Sequence, residues 1–282
     1  MAASPGAAAG LGLLSAATWG GSDFAGGWGA RRASSVLITA SGQIMSLAGL
    51  LMVCLVLRLA IPATSYLVYA AIGGFEGAIA LAVFYRALAM GAMGLTAALT
   101  GLMTALVPVV FELIHSGWPT GITLVGLAIG LAAIWLISHS PAKDGAEVPR
   151  RALLLGAAAG VGFGAQLILF KSAAAGGVLW ALTSARIAGV VAIFLVVAIA
   201  PPTGPWRGFW LAGIVSGAMD AIGNLFYMLA SQMGRLDVAA VISSMYPAGT
   251  ILLAGIILRE HPTKRQVAGM GLALAAVALL ST

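Results

Sequence analysis

The chain carries two copies of one pattern, the second shifted from the first by 142 to 144 residues. Phe84-Tyr85 returns as Phe226-Tyr227, Ala97-Ala98 as Ala239-Ala240, and Pro119-Thr120 as Pro262-Thr263. Val125 to Ser138 (VGLAIGLAAIWLIS) returns as Ala268 to Ser281 (AGMGLALAAVALLS). Gly12 to Gly21 (GLLSAATWGG) returns as Gly156 to Ala165 (GAAAGVGFGA), which sets Trp19 opposite Phe163. Whatever one copy folds into, the other is expected to fold into as well. The repeat therefore divides the chain into residues 1–140, a polar linker at 141–150, and residues 151–282. The linker lies in the longest polar interruption, Ser140 to Arg151, which holds Lys143, Asp144, Glu147, Arg150 and Arg151.

Composition decides what surrounds these copies. Hydrophobic residues make up 61% and charged residues 8%, with a mean hydropathy of +1.06, whereas a soluble domain carries roughly 25% charged residues. A membrane span needs about 20 predominantly apolar residues. The sequence offers ten such stretches, near 7–29, 34–57, 65–89, 94–114, 120–139, 151–171, 177–199, 207–231, 237–258 and 264–281. Backbone in hydrocarbon must satisfy its own hydrogen bonds, and these runs are too long and too continuously apolar for barrel strands, so each is expected to be a helix. Five spans per copy is an odd number, so the second copy crosses in the opposite sense to the first. The expected fold is an all-α membrane protein, ten transmembrane helices forming two inverted five-helix repeats around a central cavity. Met1 to Gly10 has no Lys or Arg, which argues against a cleaved signal peptide.

Several function classes lack the residues they need. Cys54 is alone, so neither an intrachain disulfide nor a cysteine-ligated metal cluster is expected. His115, His139 and His261 fall at span ends without metal-ligand spacing. There is no GxxxxGK[ST] phosphate loop and no nucleophile–base constellation, so neither an enzyme nor a cofactor is expected. The net charge of +6 comes from 14 basic residues spread along loops rather than gathered into a nucleic-acid-binding stripe. Between spans they favour one side (Arg31, Arg32, Arg86, Lys143, Arg150, Arg151, Arg207, Arg259, Lys264, Arg265) over the other (Arg58, Lys171, Arg235), which by the positive-inside rule places both termini outside the cell. Trp28, Trp118, Trp206 and Trp210, at span ends, suit the aromatic belt. Glycines at four-residue spacing (Gly73/Gly77, Gly126/Gly130, Gly156/Gly160/Gly164, Gly213/Gly217) let helix backbones approach closely, while Gly20-Gly21 and Gly26-Gly27 are candidate bending points.

Function should reside in polar groups too deep to reach the interface. Glu76 and Asp220 lie at near-equivalent places in the two copies, eight and six residues before the repeated Phe-Tyr pair. A carboxylate there must face a wet cavity, pair with a base, or hold a proton. For these carboxylates the structural alternative is a buried pair with Arg186, the arginine inside span seven. Asn224 and Tyr227 follow Asp220 by four and seven residues and share its helix face. Gln166 shares a face with Phe163 on span six. On span nine Ser243, Ser244 and Tyr246 precede Pro247, which frees a carbonyl in the preceding turn; Pro108 in span four is its approximate counterpart.

Ten spans in two inverted halves, a Trp-Gly pair in span one and prolines in spans four and nine resemble the EamA-type carriers of the drug/metabolite transporter superfamily, most nearly its bacterial amino acid exporters. The resemblance covers the whole chain. It implies a multi-pass protein of the bacterial inner membrane with a cavity built from spans one, three, four, six, eight and nine. Trp19, Glu76, Thr100, Met103, Phe163, Gln166, Asp220, Asn224, Tyr227, Ser243 and Tyr246 are the positions that fall on or near those helices. Two features depart from the family. Ser116-Gly117-Trp118 follows span four where a Gly-Glu pair is usual, and span two carries Gln43 where many members have arginine. The implied activity is export of small metabolites by alternating access, most of all amino acids with aromatic or apolar side chains, the rival being a proton-coupled exporter of quaternary cations and drugs. The implied partners are a small-molecule substrate and the lipid bilayer. A single chain holds both copies, so a monomer suffices, and the glycine faces leave a homodimer open.

Overall fold

The computed structural model describes residues 5–90, 93–138, 149–199, 201–202, 208–258 and 263–281. Among them are eleven helices: α1 Pro5–Ala30, α2 Ser35–Val56, α3 Thr64–Ala89, α4 Met93–His115, α5 Gly121–Ser138, α6 Arg150–Ala174, α7 Val178–Ile199, α8 Phe209–Met233, α9 Leu236–Ser243, α10 Tyr246–Leu258 and α11 Lys264–Leu280. All ten apolar stretches are helical, and the ninth is divided into α9 and α10. Most of the polar linker, together with His139, Trp206, Glu260 and His261, lies outside the described residues. Six segments are long and apolar enough to cross a membrane: α2, α3, α6, α7, Trp210–Met233 in α8, and Leu236–Leu253 running from α9 into α10. Leu99–His115 and Gly121–Ile137 are shorter apolar stretches within α4 and α5. These are the helices of a multi-pass membrane protein.

The distribution of side chains reverses that of a soluble bundle. Large apolar residues such as Met52, Val56, Ile114, Ile187, Phe194 and Leu274 point outward, while alanine, glycine, serine and threonine fill much of the interior. Lipid tails are as apolar as leucine, so helices associate through close backbone packing and interhelical hydrogen bonds rather than by escape from solvent. The glycine series follow this logic. Gly156, Gly160 and Gly164 of α6 lie against Thr96, Thr100, Met103, Thr104 and Val107 of α4, and Gly126 and Gly130 of α5 face Leu280 and Ala276 of α11. At Gly217 of α8 a β-carbon would fall on the backbone of Gly42 of α2. Gly20 of α1 sits equally close to the Tyr246 carbonyl and the Gly249 backbone of α10.

The glycines and prolines singled out in the sequence take different places in the structure. α1 runs unbroken through Gly20-Gly21 and Gly26-Gly27, and three of these glycines serve close packing, Gly20 on α10, Gly21 on Met219 and Gly26 beneath the ring of Tyr85. Pro108 lies inside a continuous α4, whereas Pro247 follows a real break at Ser244-Met245. Pro247 has no amide hydrogen for the Ser243 carbonyl, so the α-helical ladder stops there.

Helix packing comes in matched pairs. α1 packs most extensively on α8, and α6 on α3; α2 packs on α8, and α7 on α3; α1 meets α9 and α10, and α6 meets α4. α2 also packs on α7, and α5 on α11. The cavity opens where the first and third of these pairings converge.

Candidate functional site

A small cavity lies between α1, α3, α4, α6, α8 and the first residue of α10. Helical spacing brings its residues together. Trp19 and Asp23 on α1 are four apart, as are Asp220 and Asn224 on α8, and Phe163, Gln166 and Leu167 lie within one turn of α6. Leu81 of α3, Thr104 of α4 and Tyr246 of α10 complete the lining.

One wall is polar and charged. Arg186 reaches from α7 to place Nη2 2.6 Å from Asp220 Oδ2, the two side chains being 7% and 16% exposed. Its Nη1 donates to Gln43 Oε1 of α2 at 3.1 Å. Asn224 Nδ2 donates to Asp220 Oδ2 at 3.1 Å and to the Asp220 carbonyl at 2.9 Å. Arg186 Nε is buried and has no hydrogen-bond partner among the described residues. A buried pair of this kind contributes little net stability, because desolvation offsets attraction, but losing one partner strands the other charge. Asp23, 7% exposed, faces the same cavity and interacts electrostatically with Asp220.

The other wall is aromatic. Trp19 stacks on Tyr227 with ring centroids 5.9 Å apart and meets Tyr246 edge-on at 6.3 Å. Phe163 meets Phe84 edge-on at 5.8 Å. The repeated tyrosines each fasten neighbouring helices. Tyr85 Oη lies 2.5 Å from Ser216 Oγ of α8 and 3.3 Å from Ser22 Oγ of α1, and Tyr227 Oη donates to the Leu167 carbonyl of α6 at 2.8 Å.

Of the positions named from sequence, Trp19, Phe163, Gln166, Asp220, Asn224 and Tyr246 are brought together here. The other five lie elsewhere. Thr100 Oγ1 donates to the Thr96 and Gly156 carbonyls and Met103 packs on Gly160, both in the α4–α6 seam. Tyr227 stands behind Trp19. Ser243 Oγ donates to the Gly12 carbonyl at 3.5 Å, tying α9 to α1. Glu76 is half-buried on α3, outside the cavity lining, with Oε1 buried and without a hydrogen-bond partner among the described residues.

Asp23, Leu81, Thr104 and Leu167 were missed by sequence reasoning. Asp23 gave the same signal as Glu76 and Asp220, an acid inside an apolar span. Thr104 is one turn beyond Thr100. Leu81 and Leu167 gave none, since leucine is ordinary in any span.

No curated protein matches the sequence. One solved protein structure superposes with a TM-score of 0.72 over 96% of this chain and 95% of the other, at 19% identity, a likeness in fold. Residues 150–282 match the model of the EamA-like transporter family, so the sequence from the first residue of α6 to the end is similar to a family of membrane transporters.

Proposed function

We propose that the protein is a secondary transporter carrying small metabolites across the bacterial inner membrane by alternating access, with the cavity as its substrate site. The observation that carries this reading is the cavity itself, a small space at the convergence of six helices with aromatic rings on one wall and buried charges and amides on the other. Such a wall pair suits a small molecule with an apolar body and a polar, charged end, and amino acids with aromatic or aliphatic side chains have that form. Selectivity among them should be broad, since apolar contact separates ligands differing by a methylene by only about 1–3 kcal/mol.

The two halves, 1–140 and 151–282, are read as inverted repeats. The sequence repeat supports this, as does the matched packing between the halves, α1 on α8 with α6 on α3 and α2 on α8 with α7 on α3. The excess of Lys and Arg in the connections after spans one, three, five, seven and nine over those after spans two, six and eight supports termini outside the cell.

The test is uptake into proteoliposomes of radiolabelled tryptophan, phenylalanine, methionine, threonine, a quaternary ammonium compound and a sugar phosphate, with and without a pH gradient. Saturable amino acid uptake is expected. Movement of the quaternary ammonium compound alone, driven by protons, would replace amino acid carriage with cation export. Movement of the sugar phosphate alone would count against both, because phosphate recognition needs clustered bases.

A further inference from the structure

We infer that the break between α9 and α10 is a binding site for a monovalent metal cation, sodium. The site stands on the break alone; that the ion travels with a substrate rests on the carrier reading above.

Unwound backbone at membrane depth persists only where protein, water or an ion answers the freed groups. The apolar span Leu236–Leu253 is unwound within its length, α9 ending at Ser243 and α10 beginning at Tyr246. Position 247 is proline, so the Ser243 carbonyl has no amide four residues on. The Ser244, Met245 and Ala248 amides go to the carbonyls of Ala240, Ile242 and Met245. Among the described residues, the carbonyls of Val241 and Ser244 accept no hydrogen bond.

Ser244 adds a hydroxyl to these carbonyls. It is fully buried, and its Oγ has no hydrogen-bond partner among the described residues. A serine or threonine in a helix can donate to the carbonyl three or four residues back, as Thr100, Thr104 and Thr250 do here. Ser244 does not, although that reach includes the unanswered Val241 carbonyl. Three carbonyl oxygens and one hydroxyl, all from a single turn of chain, thus have lone pairs to offer. The first half of the chain has no counterpart, because α4 continues through Pro108.

Oxygen lone pairs at the C-terminal end of α9, which carries partial negative charge, call for a cation. Alkali ions take neutral oxygens of this kind, as in filters built from carbonyls. Val241 to Pro247 includes no acid, whereas calcium and magnesium sites are built on carboxylates. Nor is a basic side chain at hand, since Arg235 pairs with Asp237 at the far end of α9 and Arg186 with Asp220. α4 closes tightly on the break. A β-carbon at Gly101 would lie 3.2 Å from the Ser244 carbonyl oxygen and 3.1 Å from the Pro247 ring, which favours sodium over the larger potassium. Tyr246, two residues beyond Ser244, lines the cavity together with Asp23, so the ion sits beside the cavity with a carboxylate to offset its charge.

The experiment measures binding of radiolabelled sodium to the purified full-length chain in detergent, in choline chloride at fixed ionic strength. Saturable binding is expected, competed by unlabelled sodium far better than by potassium, with a higher unfolding midpoint in sodium chloride than in choline chloride. Ser244→Ala removes one oxygen and should weaken binding by at least about tenfold, the least that disturbing the supporting groups of a metal site costs. Ser244→Thr, which keeps the hydroxyl, should retain binding. Pro247→Ala returns an amide to the Ser243 carbonyl and should also weaken binding; it stands in should Ser244→Ala fail to fold. Absence of saturable sodium binding, equal competition by potassium, or wild-type affinity in a folded Ser244→Ala or Pro247→Ala overturns the inference. Sodium binding without movement of any compound in the proteoliposome panel keeps the site and removes the carrier reading. Uptake of a panel compound with no sodium bound does the reverse.

Discussion

Arg186 and Asp220 should not be interchangeable losses, although they form one ion pair. Replacing Arg186 by glutamine leaves the Asp220 carboxylate without its counter-charge, with the Asn224 amide as its remaining side-chain donor among the described residues. Removing one member of a buried pair costs about 3–5 kcal/mol, and with both side chains under one-fifth exposed there is little solvent to soften it. Replacing Asp220 by asparagine is milder. Arg186 keeps its hydrogen bond to Gln43 Oε1 at 3.1 Å, and the amide oxygen of the new asparagine can accept from it. The loss is then closer to one charged hydrogen bond, about 1.5–3 kcal/mol. Thermal unfolding of the purified chain in one detergent at neutral pH measures the difference. At roughly 2–4 °C per kcal/mol for a chain of this class, Arg186→Gln should lower the midpoint by about 6–20 °C and Asp220→Asn by clearly less. If Asp220→Asn is as damaging as Arg186→Gln, the asymmetry drawn for this pair is wrong.

Gly217→Val should separate α2 from α8, because its side chain would enter the Gly42 backbone, and cost at least the ~1–3 kcal/mol of overpacking; Gly271→Ala, where nothing lies within 4 Å of the added carbon, serves as the tolerated control in the same unfolding assay. Tyr85→Phe removes the hydroxyl shared with Ser216 and Ser22 and should cost about 0.5–1.5 kcal/mol, together with faster deuterium uptake by labile amides of the helix ends it joins. An unchanged midpoint would mean that the hydroxyl cluster is not a structural tie.

Much of this architecture could be read from the chain because lipid imposes a simple rule, that a long apolar run must be a helix. The ten runs became helices, and the glycine series became packing seams, since four-residue spacing puts small residues on one helix face whatever lies opposite. Partners were harder to read. Periodicity shows that Asp220 and Asn224 share a face, not that Arg186 reaches that face from α7, and it cannot tell the cavity side of α3, where Leu81 points, from the side carrying Glu76. Ser243 had the composition of a cavity residue and instead bonds to the Gly12 carbonyl, a partner 231 positions away. The two prolines differ for a similar reason. Each removes an amide from its own helix, but surroundings decide whether the helix continues, as at Pro108, or stops, as before Pro247.

The Arg186–Asp220 pair also constrains how the protein is made. The arginine lies near the middle of α7, and its partner is 34 residues further along the chain. At roughly 5–20 residues per second, synthesis delivers Arg186 about 2–7 s before Asp220. A lone arginine at the centre of a helix opposes insertion by about 2.5–3.5 kcal/mol, so α7 is best released into lipid together with α8, as a hairpin whose charges already meet. A ribosome that stalls between these two helices would leave Arg186 in its span without its counter-charge.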